Sequence, residues 1–233
     1  MKFLVFLLVV FISNEISAQS DSIYKKLSVV QIDSVFSDSI KKEFKIKFPF
    51  YKVYSFEDKE GKHLLALTES SFQGEKHANN DSIQAFHFLF KNNQLELKWS
   101  FVDFKIGNPA HYIDENSIWF WTKYISLTDI DKDGLIDPII IFGTSSESNA
   151  MEDGRIKILC FYKGQKYGIR HQNSLYDYDR FSKVDAKFYQ LPVSIQSHVK
   201  QIMEKMDENA VSNFPAGWQK AMKAKKLYID ESY

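Results

Sequence analysis

The feature that most constrains the fold is a short acidic segment between two apolar stretches that have the composition of β-strands. The segment reads Asp-Ile-Asp-Lys-Asp-Gly-Leu-Ile-Asp over residues 129–137. Carboxylates occupy its positions 1, 3, 5 and 9, and glycine occupies position 6. This spacing turns alternate side chains inward, and the glycine permits the sharp turn that brings them together. The segment therefore predicts an oxygen-lined loop for a hard cation such as Ca²⁺.

The metal hypothesis assigns a role to each oxygen-bearing position of the loop. The side-chain ligands that the spacing predicts are the carboxylates of Asp129, Asp131, Asp133 and Asp137. Close carboxylates repel one another without a cation, which favours this interpretation over an acidic turn that binds no metal. The loop has no histidine or cysteine, so Zn²⁺ is disfavoured. Mg²⁺ is also disfavoured, because it binds through fewer carboxylates and retains several waters.

The flanking residues exclude a helix–loop–helix calcium site. An EF-hand places a bidentate glutamate at position 12, but that position is Ile140. The aromatic stretch 118–127 and the apolar run 139–142 are both predicted strands. The loop resembles the strand–loop–strand calcium loops of FG-GAP and VCBS repeats, whose motif is Asp-x-Asp-x-Asp-Gly-x-x-Asp. The resemblance implies ligand roles for the same four aspartates, with the backbone carbonyl of Leu135 as a further candidate. The motif occurs once, so a repeat protein such as a propeller is not predicted.

The rest of the chain alternates between strand patterns and turn residues, with helical patterns near both ends. Further strands are predicted at residues 44–56, 63–68, 83–91, 95–104, 155–162 and 166–171. A helix is predicted within residues 20–42, a second after Pro192, and a short last one at 218–227. This order predicts an α+β fold, in which an antiparallel β-sheet built from hairpins has flanking N- and C-terminal helices.

The first residues have the pattern of a secretory signal peptide. A basic start at Lys2 precedes an apolar run over residues 3–12, and small and polar residues follow as far as Ala18. We expect cleavage before Gln19, which leaves residues 19–233 as one mature domain. The expected location is secreted, periplasmic or within the cell envelope. No other transmembrane segment is predicted after removal of the leader.

The charge balance disfavours nucleic acid as a partner. The chain has 30 basic and 30 acidic residues, and loss of Lys2 and Glu15 with the leader keeps it neutral. Binding to phosphate backbones needs an excess of positive charge. Cys160 is the only cysteine and cannot form an intramolecular disulfide. An exported chain of this kind must gain its stability from its core, to which a bound ion can add.

The three arginines, Arg155, Arg170 and Arg180, lie in one short stretch after the acidic loop of a lysine-rich chain. Arg155 and Arg170 fall at the same end of a predicted hairpin, and with His171 they form a candidate ligand pocket for a carboxylate or phosphate. The competing interpretation, which we favour, pairs the arginines with aspartates of residues 177–185. No nucleophile–base pattern has a recognisable local signature, so catalytic residues stay unassigned.

Five stretches together resemble a family of exported Bacteroidota proteins labelled surface polysaccharide biosynthesis proteins. They are residues 44–49, 129–143, 154–158, 169–173 and 214–219. The resemblance implies an envelope location and a partner that is an envelope glycan or another envelope protein. Two functions follow: a binding or structural module with a calcium loop, which we favour, and a polysaccharide-acting enzyme with a pocket near Arg155, Arg170 and His171.

Overall fold

The computed structural model describes residues 24–72, 79–92, 94–108, 113–146 and 154–232. The predicted signal peptide, residues 1–18, lies outside these ranges. The described residues form an α+β fold with two antiparallel sheets packed face to face and helices on both outer faces. None of the helices in these ranges has both the length and the apolar character needed to cross a membrane.

The first sheet is built from the N-terminal half of the chain. Its elements are β1 (Tyr24–Lys26), β2 (Phe50–Asp58), β3 (Gly61–Glu69), β4 (Ser82–Lys91) and β5 (Gln94–Phe104). The strands follow one another in chain order across this sheet. Two short helices, α1 (Val29–Val35) and α2 (Asp38–Glu43), pack on its outer face, where Ile32 and Phe36 join the core. Ser28 and Ser37 cap the two helices by accepting backbone N–H groups.

The second sheet carries the acidic loop and the C-terminal helices. Its strands are β6 (Gly107–Asn108), β7 (Ile113–Phe120), β8 (Ser126–Thr128), β9 (Asp137–Ser146), β10 (Gly154–Tyr162), β11 (Gln165–Asn173), β12 (Phe181–Val184) and β13 (Tyr228–Asp230). Their order is β13-β12-β11-β10-β9-β7-β6, and β8 also pairs with β9. The helices α3 (Val193–Glu208) and α4 (Trp218–Lys223) pack on the outer face of this sheet.

Strand β9 is central, as its unbroken apolar run predicts. Ile139 and Ile141 belong to the core under α3, whereas Ile140 and Phe142 belong to the core between the two sheets. Successive side chains of a strand point to opposite faces, so a strand between two cores must be apolar at every position. The acidic loop directly precedes this strand and is therefore anchored to the most buried part of the fold.

Helix α3 begins where the sequence predicts. Pro192 is its N-cap residue and Val193 is its first residue. The predicted apolar face is buried at every position, through Ile195, Val199, Ile202, Met203 and Met206. The helical spacing of these residues matches the stripe that an amphipathic helix packs against a sheet, so this prediction is confirmed.

The predicted start of the first long strand is wrong. Residues 44–48 alternate between apolar and basic side chains, but they form the end of α2 and the turn after it. Lys45 adopts a φ of 56°, and the Ile46 N–H donates to the Lys41 carbonyl at 2.8 Å. This turn lets Phe44 and Ile46 contact the same core from non-strand backbone. Strand β2 begins only at Phe50.

The predicted strand at residues 118–127 is also interrupted. Strand β7 ends at Phe120 and β8 begins at Ser126. A turn intervenes, in which the Tyr124 N–H donates to the Trp121 carbonyl at 2.9 Å. The aromatic composition of this stretch reflects burial against both cores and not a continuous strand.

We predict that Phe142→Ala destabilises the protein by about 3 to 5 kcal/mol. Phe142 is 1% exposed and packs on Phe101 and Phe120 with ring centroids 5.4 and 6.0 Å away. The matched control is Phe104→Ala, because Phe104 is 58% exposed; its effect should stay within about 0.5 kcal/mol. Denaturant unfolding of both variants measures the difference. Equal effects would contradict the position of Phe142 between the sheets.

Candidate metal centre and the adjoining histidine pair

The acidic loop closes a hairpin between β8 and β9, in which Thr128 pairs with Asp137. Its own carboxylates organise its backbone. The N–H groups of Asp133 and Gly134 donate to the Asp129 carboxylate at 3.1 and 2.8 Å, and the Ile130 N–H donates to Asp137 Oδ2 at 3.0 Å. Gly134 has a φ of 89°, a conformation that glycine adopts without the strain of a side chain.

Three of the predicted ligands come together in this loop. Asp129, Asp131 and Asp137 each place one carboxylate oxygen within 4.8 Å of the other two. Oxygen ligands lie 2.3–2.6 Å from Ca²⁺, so two ligands of one ion are separated by at most about 5 Å. The three carboxylates therefore fit a single hard cation in both spacing and donor type.

Asp137 is the most buried member of this group, at 2% exposure. The pKa of its carboxyl group is raised to about 6, first by burial and then by the negative charges of Asp131 and Asp133, although the N–H of Ile130 opposes them. A buried carboxylate beside two others is costly without positive charge nearby. A cation bound beside Asp137 would therefore lower the electrostatic cost of burying this carboxylate.

Two of the predicted carboxylate ligands also have partners outside the loop. Asp133 lies outside the group of three, accepts the Leu135 N–H at 3.0 Å, and pairs with Lys163 at 3.4 Å. The hydrogen bond from Leu135 lowers the pKa of Asp133, and the charges of Lys163 and Lys59 lower it further. Asp131 accepts a second contact from outside the loop, the Tyr162 hydroxyl at 3.0 Å.

The loop is bonded to the opposite sheet as well as to its own. The Lys59 N–H donates to the Gly134 carbonyl at 3.1 Å, and its ammonium group donates to the Asp133 carbonyl at 2.6 Å. The Ile136 N–H donates to Asp58 Oδ2 at 3.1 Å. Lys59 and Asp58 belong to the turn between β2 and β3. The acidic loop therefore joins the two sheets at one end of the sandwich.

The same Asp58 carboxylate begins a buried chain of two histidines. His63 Nε2 lies 2.9 Å from Asp58 Oδ1, and His63 Nδ1 lies 3.0 Å from His87 Nε2. Phe56 stacks on both imidazoles, at centroid distances of 5.2 and 5.5 Å. The pKa of His87 is lowered to about 3, first by burial and then by the neighbouring His63. His87 is therefore neutral near pH 7.

Asp58, His63 and His87 are not site residues that the sequence predicts. Asp58 and His63 lie in two strands that meet at a turn, and His87 lies in the next strand of the sheet. Only the strand register places Leu65 opposite His87 and so brings the second histidine beside the first. The local sequence signals the turn at residues 58–61 but contains no motif for the contact between the histidines.

The structure does not assemble the predicted pocket of Arg155, Arg170 and His171. In the β10–β11 pairing, Lys157 is opposite Arg170 and Ile156 is opposite His171, which puts Arg170 and His171 on different faces of the sheet. His171 is buried against Phe214, and burial lowers its pKa to about 4. Its ring nitrogens lie within 3.0–3.2 Å of Phe181, Ser182 and Asn173.

Each arginine of the chain is paired with a carboxylate. Arg155 forms a two-pronged contact with Glu115, in which Nη2 lies 2.7 Å from Oε2 and Nε contacts Oε1. Arg170 donates to Asp185 at 2.6 Å. Arg180 contacts both Glu231, at 2.7 Å, and Asp177. The aspartates of residues 177–185 supply two of these partners, as the favoured interpretation of the sequence predicts.

Comparisons with protein-family models, with curated proteins and with solved structures return no match. The functional argument therefore rests on the geometry of the acidic loop, the histidine pair and the arginines.

We predict that His87→Phe weakens the loss of stability in acid. His87 has a folded pKa of about 3, below its ordinary value of 6.5. Its contribution is fully present above the unfolded pKa and is lost as the pH falls from about 6.5 towards 3, because only the unfolded chain takes up the proton readily. The free energy of unfolding of the variant should fall less steeply over this range.

The comparison of the two slopes isolates His87. His171 contributes the same sign in both proteins, and Glu69, whose pKa burial raises to about 7, contributes the opposite sign in both. Denaturant unfolding at intervals between pH 4 and pH 7 measures the two slopes. Superimposable slopes would show that His87 is not held neutral by the fold.

Proposed function

We propose that this chain is an exported envelope protein whose acidic loop binds a structural Ca²⁺ ion, and that its role is binding or structural. The observation that carries the proposal is the meeting of three carboxylates within 4.8 Å in a loop that is hydrogen-bonded to both sheets. An ion in this loop stabilises the hydrogen-bonded contact between the two sheets. The ion supplies positive charge and no redox chemistry.

The donor set favours Ca²⁺ over other common metals. The group contains carboxylate oxygens alone, from Asp129, Asp131 and Asp137. Zn²⁺ and Cu²⁺ prefer nitrogen or sulfur ligands, and Mg²⁺ binds through fewer carboxylates with several waters. Ca²⁺ takes 6–8 oxygens, so backbone carbonyls and water complete its shell. Leu135 keeps its proposed role as a carbonyl ligand, and Asp133 completes the proposed set of carboxylates.

The energetic benefit of this ion is modest but sufficient to matter. Extracellular calcium sites commonly have Kd values of about 10⁻⁴ to 10⁻³ M. At an ion concentration ten times Kd, binding stabilises the folded state by about 1.4 kcal/mol. For a domain of this size that corresponds to a melting temperature about 3 to 6 °C higher.

The surroundings of the arginines support a binding or structural role over catalysis. Arg155 and Arg170 are engaged with Glu115 and Asp185, and His171 lies on the other sheet face from Arg170. These residues leave no shared pocket for a polysaccharide-acting enzyme. The family resemblance is the ground for a partner of the envelope, either a surface polysaccharide or another envelope protein.

We predict that, for a Kd of about 10⁻⁴ M, 1 mM Ca²⁺ raises the melting temperature of the mature protein by about 3 to 6 °C relative to excess chelator. Asp131→Asn removes one carboxylate from the group of three and should abolish most of this rise. The matched control is Asp33→Asn, which removes the same charge from an exposed position of α1 and should keep the full rise. Differential scanning calorimetry measures all three proteins.

A melting temperature that does not change between chelator and millimolar Ca²⁺ would sink the metal hypothesis. A rise of equal size with Mg²⁺ would leave a divalent cation site and remove the assignment to Ca²⁺. A full rise in Asp131→Asn would place the ion elsewhere in the chain.

We predict that export removes residues 1–18. The apolar run and the small residues before Gln19 have the pattern of a cleaved leader. Expression of the whole chain in a Gram-negative host, followed by intact-mass measurement of the exported fraction, should give a product that begins at Gln19. Ala18→Pro should block this cleavage, whereas Ala150→Pro, far from the leader in sequence, should not. A product that retains Met1 in the cytoplasm would contradict the proposed export.

A further inference from the structure

We propose that the cavity between the β2–β3 turn and the acidic loop binds a small ring-bearing molecule through a hydroxyl group that donates a hydrogen bond to His87 Nδ1. The proposed contact depends on the histidine pair and the aromatic wall, and the acidic loop lines another side of the same cavity. The ligand class follows from a cavity, an unsatisfied buried nitrogen and the aromatic wall beside it.

The cavity has a volume of about 480 Å³. Asp58, His63 and His87 line one side, and the acidic loop lines another. Trp99 and Phe161 form an aromatic wall, with their rings stacked at 3.6 Å and an interplanar angle of 7°. A cavity of this size, with an aromatic wall beside convergent polar groups, has the character of a small-molecule site.

His87 Nδ1 is a buried polar atom with no hydrogen-bond partner in the part of the chain that the structure describes. His87 is only 8% exposed. Leaving such an atom unpaired costs stability, because its hydration is lost and nothing replaces it. Buried polar atoms are paired in the great majority of cases, so this one marks a place where a partner is expected.

The chain of hydrogen bonds determines that His87 Nδ1 is an acceptor. The Asp58 carboxylate accepts the backbone N–H groups of Glu60, at 2.8 Å, and Ile136, at 3.1 Å, and both bonds favour its ionised form. An ionised carboxylate only accepts, so His63 Nε2 carries a hydrogen and donates it to Asp58.

The same reasoning extends to the second ring. When His63 carries one ring hydrogen, on Nε2, its Nδ1 is an acceptor, and His87 Nε2 then carries the hydrogen of the bond between the two rings. Neutral His87 then has a bare lone pair on Nδ1. A partner for this atom must be a donor, and an O–H group is the donor of matching strength on a small neutral molecule.

The aromatic wall explains why the hydroxyl should be attached to a ring. Trp99 packs against His87 at a centroid distance of 5.2 Å and lines the same cavity. The Nδ1 atom itself has almost no accessible surface, so a ligand that reaches it must displace a neighbouring group. Trp99 is a side chain that contacts both the cavity and His87. If Trp99 moves aside, a planar or ring-shaped ligand takes over the contacts that the Trp99 ring made.

Nitrogen-detected NMR on the full chain tests this proposal with two hydroxylated probes, phenol and glucose. Either probe, if it binds, should shift the ¹⁵N signal of His87 Nδ1 saturably and leave the His171 signals in place. His171 is a suitable internal control, because it is also buried but both of its ring nitrogens have partners. A response to phenol alone identifies an aromatic alcohol, and a response to glucose alone identifies a saccharide.

Two variants sharpen the test. His87→Phe removes the acceptor and should weaken binding of the active probe at least tenfold, and Trp99→Ala should change the affinity without removing the His87 shift. If His87→Phe fails to fold, the wild-type titration still decides. No shift of His87 Nδ1 with either probe up to 100 mM, or a spectrum in which Nδ1 carries the hydrogen at neutral pH, would overturn the proposal.

Discussion

The hydrogen bonds between the acidic loop and the β2–β3 turn are the constraint on which this end of the molecule depends. They join a segment that precedes the central strand β9 to a turn of the opposite sheet, through Lys59, Gly134 and Asp58. The core between the sheets is apolar packing, which is strong but not directional. The hydrogen bonds of the loop are directional. The Asp129 carboxylate fixes the loop backbone in the conformation that hydrogen-bonds to the β2–β3 turn.

Asp58 links the two unusual features of the fold. One of its oxygens accepts from the loop at Ile136, and the other accepts from His63. A change in the conformation of the loop therefore alters the surroundings of the histidine pair, because the Asp58 carboxylate contacts both. Asp137 shows the cost of this arrangement, since it is buried beside other acidic groups and burial raises its pKa to about 6. Under the calcium proposal, a cation in the loop would balance that cost and would give a neutral chain without disulfides a local source of stability.

The sequence predicts those parts of the fold that depend on local periodicity. The buried face of α3, the β10–β11 hairpin around Lys163 and the doubly buried β9 all follow from spacing within one element. The start of β2 could not be predicted in this way. The alternation at residues 44–48 is also compatible with a helix end and turn whose Phe44 and Ile46 side chains pack on the core. The three gathered aspartates come from one short loop and are predictable. The histidine pair is not, because it depends on the register of neighbouring strands.

The central claim is that a cation relieves the repulsion around Asp137, and the stability of Asp137→Asn with and without Ca²⁺ tests it most directly. The amide keeps an oxygen that can accept the Ile130 N–H but removes the buried charge. In chelator the variant should be at least as stable as the wild type, because repulsion from Asp131 and Asp133 is gone. In millimolar Ca²⁺ the order should reverse, because the variant has lost a ligand. A variant that is less stable than the wild type by the same amount in both conditions would contradict the account.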